Sequence, residues 1–185
     1  LREGQGARAV LRDKPAVREQ VIRECVELHS QMPVAKAREL GSFIYDGLIL
    51  QLRSMGPGLL VDRWIRQHCP DLQEAQEQAI ASEITNNLGA LKPSIRANYP
   101  GTVYEASISM NAAYARFGGD LLGKPYLAAP YLSQGYGEKA SRLITLALGD
   151  DDPAKEPKDR QIIDSWAQEL GISGWYDWTE QDEQV

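Results

Sequence analysis

Between Pro33 and Gly56 the apolar residues Val34, Ala37, Leu40, Ile44, Leu48, Leu52 and Met55 recur at three- and four-residue spacing. At about 3.6 residues per turn they share one face, so the stretch is expected as an amphipathic helix buried against another surface. The same period appears before and after it. Asp13 followed by Pro15 marks a helix start, with Val17, Val21, Cys25 and Leu28 on one side of a helix over roughly 15–30. Gly56-Pro57-Gly58 is expected to end the second helix, and Leu59 to Ile65 forms a short third one before Pro70. Asp71 is placed to cap a fourth, carrying Leu72, Ala75, Ala79, Ile80, Ile84 and Leu88 up to Gly89. Near the end, Ala140, Leu143, Ile144, Ala147 and Leu148 form a face closed by Gly149, and Ile162, Ile163, Trp166 and Leu170 form another closed by Gly171.

The middle reads differently. Seven of the fourteen aromatic residues lie between Tyr99 and Tyr136, among glycines and prolines. Tyr104 to Ala115 alternates like a strand, but Ala-Ala-Tyr-Ala-Arg-Phe up to Gly118 favours a helix. The expected fold class is therefore mostly α: a single helical domain of about five to seven amphipathic helices, with an irregular Tyr/Gly/Pro-rich segment in the middle. Residues 1–14 are expected as an N-terminal arm that need not order, 15–149 as the helical domain, 150–158 as an acidic linker, and 159–185 as a C-terminal helix with an aromatic, acidic tail.

Charge is unevenly spread. Residues 149–185 carry three basic and eleven acidic side chains, so the whole net charge of −6 arises there and the preceding residues stand at +2. Nucleic acid needs a clustered basic face, which this distribution does not offer. Ala167 to Ser173 resembles the start of a helix-turn-helix, yet Gly174-Trp175-Tyr176-Asp177-Trp178 follows it with neither Arg nor Lys for base edges or phosphates. The longest uncharged stretch, Pro125 to Gly137, is too short for a membrane span, and no signal peptide is visible, so a cytoplasmic location is expected.

Motifs for chemistry are sparse. Gly118 to Lys124 matches part of a phosphate-binding loop, but Pro125 stands where a hydroxyl should hold magnesium and Asp120 would repel phosphate. Cys25 and His29 share a helix face, and His68-Cys69 adds two more donors. The spacing fits no structural zinc site, so unremarkable thiols are expected and no cofactor or metal. With two histidines and no Gly-x-Ser-x-Gly elbow, hydrolytic chemistry finds little support.

The tyrosines carry the functional expectation. Pro125-Tyr126-Leu127 and Pro130-Tyr131-Leu132 repeat at a spacing of five, with Tyr136 after the same interval. Proline favours an extended strap over the helices, and tyrosine suits contact surfaces. A non-catalytic protein-interaction or assembly component is expected, binding through Tyr126, Tyr131 and Tyr136 together with Trp175, Tyr176 and Trp178 of the tail. Its partner would be another protein with a basic surface, and homo-oligomers are compatible. Truncation from Trp175 is then expected to weaken association more than folding. The alternative is a small enzyme holding an anionic small molecule under the strap, between Tyr104, Tyr114, Arg116, Asp120 and Lys124. A nucleic-acid-binding regulator ranks third.

Overall fold

Pro15 occupies the first turn of helix α1 (Pro15–Leu28), where its missing amide costs no hydrogen bond. The computed structural model describes residues 8–149 and 159–181. In chain order it contains β1 (Arg8–Asp13), α1, α2 (Val34–His68), α3 (Gln73–Asn87), α4 (Pro93–Ala97), α5 (Gly101–Leu121), α6 (Ala129–Leu132), α7 (Gly137–Leu148), α8 (Asp159–Glu169) and β2 (Tyr176–Gln181). The mostly helical class holds. No helix among the described residues is long and apolar enough to cross a membrane.

The second and third expected helices are one. Helix α2 runs 35 residues straight through Gly56-Pro57-Gly58. Proline at 57 removes one amide and so frees the carbonyl of Arg53, four residues back, whose side chain is exposed. Gly56 lies against α8, where an added Cβ would come within 2.8 Å of Ile162 and 3.1 Å of Trp166. The glycine is therefore a notch for α8, and the packing it permits outweighs the helix-breaking preference. Asp71 falls in a short 3-10 turn, Pro70–Leu72, before α3 and makes no side-chain cap.

Helix α5 is the centre, as the alanine-rich reading of 104–118 requires. Its residues from Ile108 to Ala115 are buried on every side, against α2, α3 and α7. Close approach is dictated by small residues: a Cβ on Gly118 would sit 2.7 Å from Ile80, and one on Gly119 would sit 2.9 Å from the Lys124 carbonyl. Across the core, Gln51 Nε2 donates to Asn111 Oδ1 at 2.8 Å, and Trp166 Nε1 donates to the Leu143 carbonyl at 2.8 Å. Gly149 (φ 67°) and Gly171 (φ 73°) close α7 and α8 in the left-handed region, as their positions in the sequence imply.

The N-terminal stretch is not an arm over residues 8–13. Strand β1 pairs antiparallel with β2, from Arg8 opposite Gln181 to Asp13 opposite Tyr176, and the Lys14 amide extends the pairing to the Trp175 carbonyl at 3.1 Å. A two-stranded ribbon alone is marginal. Here Leu11 and Tyr176 are buried against the helices. The acidic linker expected at 150–158 lies outside the described residues.

Candidate functional site

The Pro-Tyr-Leu segment is helical, not extended. Pro125–Ala128 forms a 3-10 turn leading directly into α6. Each proline stands at the first turn of its element, where its φ suits a helix as well as an extended chain. Wound up, a spacing of five does not keep the tyrosines on one side. Tyr126 is 67% exposed, Tyr131 is fully buried, and Tyr136 is half-buried with its hydroxyl donating to Glu105 Oε2 at 3.0 Å. Arg96 donates to the other oxygen of Glu105 at 3.1 Å. Burial pushes the Tyr131 phenol up to about 12, and burial with the Glu105 bond and charge does the same for Tyr136.

The tail residues are likewise engaged in the fold. Trp175 stacks on Tyr45, while Tyr176 Oη and Trp178 Nε1 both donate to one oxygen of Asp164, at 2.7 and 2.8 Å. Arg160 lies over the Trp178 ring at 5.2 Å. Desolvation and the Asp164 carboxylate raise the Tyr176 phenol well above its ordinary value. Of the six expected contact residues, Tyr131 and Tyr176 belong to the core, and only Tyr126 is mostly exposed.

Of the five residues of the alternative pocket, four are buried or bonded within the fold. Tyr104 and Tyr114 are buried along α5. Arg116 donates to the Gly137 carbonyl and to Ser141 Oγ, and Lys124 pairs with Glu77. Asp120 faces solvent at the end of the helix. Depressions of about 500, 510 and 330 Å³ lie beside Arg66 and Glu77, beside Leu28 and Lys36, and beside Glu27 and Tyr99, and none of the five residues lines them.

Cys25 is fully buried against Gly41 near the start of α2, and burial raises its thiol. Cys69 lies beyond the other end of α2, about 40 Å further along at roughly 1.5 Å per residue. The Cys25/His29 and His68/Cys69 pairs therefore do not meet. His29 Nε2 is bonded to the Asn98 carbonyl, and His68 Nδ1 to that of Trp64.

One surface was not anticipated. Phe43, Leu50, Val61 and Trp64 on α2 are 74%, 64%, 56% and 55% exposed. They share the face opposite the core side, which carries Tyr45, Leu52 and Leu59. Gly47, Ser54 and Pro57 fill the gaps between them, and His68 stacks on Trp64 at 4.9 Å between ring centroids. The signal was present as a second ladder, with Phe43, Leu50, Pro57 and Trp64 each seven apart. Reading Pro57 as a helix end divided that ladder in two.

No protein-family model, no curated protein and no solved structure matches this chain.

Proposed function

We propose that this chain is a non-catalytic assembly component whose contact surface is the outer face of α2. The observation that carries the reading is the exposed row Phe43, Leu50, Val61 and Trp64, an apolar stripe about 33 Å long at roughly 1.5 Å per residue. Large apolar side chains exposed singly are ordinary, but four aligned on one helix face mark an interaction surface. Engagement of Arg116 and Lys124 within the fold weighs against the anion-binding enzyme, since a pocket cation has to be available to its ligand.

Chemical crosslinking of a concentrated cell extract containing the chain, resolved on a denaturing gel, tests the reading. A discrete adduct above the mass of one chain, lost in a Phe43→Glu/Leu50→Glu variant of unchanged circular dichroism, is the expected result. No adduct, or an adduct indifferent to those substitutions, refutes it.

A further inference from the structure

We infer that the surface covering the outer face of α2 is the same face of a second copy, with the two helices antiparallel about a two-fold axis. This rests on the reading of that face as a contact surface. Two rows define it: Phe43, Leu50, Pro57 and Trp64 at intervals of seven, and Gly47, Ser54, Val61 and His68 at the same interval, four positions on. A repeat of seven is the seam along which one helix seats its side chains between those of another with the same period. The chain itself supplies such a helix.

The face is also complementary to its own reverse. If Trp64 is set opposite Gly47 of the second copy, the same register sets Leu50 opposite Val61, Ser54 opposite Pro57, and Phe43 opposite His68. The two-fold axis then repeats every contact. The largest side chain of the row meets the position with no side chain. Between Phe43 and Trp64 no residue of the two rows is charged, so the pairing buries no ion.

Gly47 supports this independently. Gly41, Gly56, Gly118 and Gly119 each have a neighbour that an added Cβ would approach within 2.7–2.9 Å, which explains them inside one protomer. A Cβ on Gly47 would meet nothing within 4 Å, as at Gly58 of the same helix, and of the two only Gly47 lies on the rows. Glycine in mid-helix is unfavourable, and nothing in the protomer requires it here. A seat for the indole of Trp64 from a second copy does.

The footprint bounds the strength. A stripe about 33 Å long and roughly 10 Å wide covers about 330 Å² per copy, below the roughly 800 Å² of a standard interface. The dimer is accordingly weak and transient.

Sedimentation equilibrium of the purified full chain from about 1 to about 500 μM tests this. The expected result is a monomer–dimer equilibrium in that range, weakened at least about tenfold by Leu50→Glu, Trp64→Ala or Gly47→Leu, with helical circular dichroism unchanged. Register is read by mild oxidation in a Cys69→Ser background. Leu50→Cys with Val61→Cys links into a covalent dimer, whereas Leu50→Cys alone does not. A chain that stays monomeric to about 500 μM, a dimer indifferent to Leu50→Glu, or equal linking by Leu50→Cys alone overturns the proposal. Should the purified chain stay monomeric while the extract still holds a Leu50-dependent complex, the contact surface stands and the second copy is refuted.

Discussion

Tyr45 and Trp175, 130 positions apart, stack with ring centroids 5.7 Å apart and planes within 3°, and the Tyr45 hydroxyl donates to the Trp175 carbonyl at 2.6 Å. This contact ties the segment before β2 to the first half of α2. Arg18 completes the junction, lying 5.5 Å from the Tyr45 ring centroid and bonded to Asp13, Ser42 and Asp46. Tyr45→Phe keeps the ring and removes one of the two hydrogen bonds on the Trp175 carbonyl, which still accepts from the Lys14 amide, so it is expected to cost about 1 kcal/mol. For a chain of this size that is a fall of about 2–4 °C in melting temperature, measurable by calorimetry.

Removal of residues 175–185 is expected to damage folding, reversing the order of effects that composition alone suggested. The cut takes away the Trp175 stack, the buried Tyr176 and the whole partner strand of β1. Two large aromatic side chains at about 1.5–3 kcal/mol each set the lower part of the loss, roughly 3–6 kcal/mol. Urea denaturation of the truncated chain measures it, and an unchanged midpoint would show that the ribbon is not part of the cooperative unit.

Gly56→Ala and Gly47→Ala, both in α2, are expected to act in opposite directions. At 56 the new methyl enters the packed contact with Ile162 and Trp166, costing about 1–3 kcal/mol. At 47 it meets open space and improves the helix, stabilising by roughly 0.5–1 kcal/mol. Chemical denaturation of the two variants at low protein concentration separates the notch that the fold needs from the glycine that it does not.

Alkaline pH is expected to unfold the chain between 10 and 12. Tyr131 and Tyr136 both shift from an ordinary 10.0 to about 12, chiefly through burial, with Glu105 adding to the shift at Tyr136. A phenol whose folded value is raised contributes stability that is complete below pH 10 and is lost as pH rises toward 12. Tyr45, Tyr104, Tyr114 and Tyr176 shift in the same direction, burial being the first cause in each. The phenolate absorbance of these buried tyrosines and circular dichroism, followed together, should change in one step.

Helical periodicity made most of the core legible, because Ile44, Leu48 and Leu52, or Ala140, Leu143 and Ala147, reach it by spacing alone. Three features depended on contacts that spacing does not encode. Continuation of α2 through Pro57 is held by Ile162 and Trp166 from a distant segment. Pairing of β1 with β2 joins distant segments of the chain, and while β1 shows no alternation, that of Tyr176 to Thr179 in β2 is too short to announce it. At the tyrosines, proline was compatible with both an extended and a helical segment. The choice between them decided that Tyr131 faces the core and Tyr126 faces solvent.

The most direct test of the α2 face as the contact surface is photocrosslinking in the cell, with benzoylphenylalanine in place of Leu50 and, as a control, in place of the exposed Arg23 on α1. A discrete adduct from position 50 and none from position 23 is predicted. Equal adducts from both positions, or none from position 50, would contradict it.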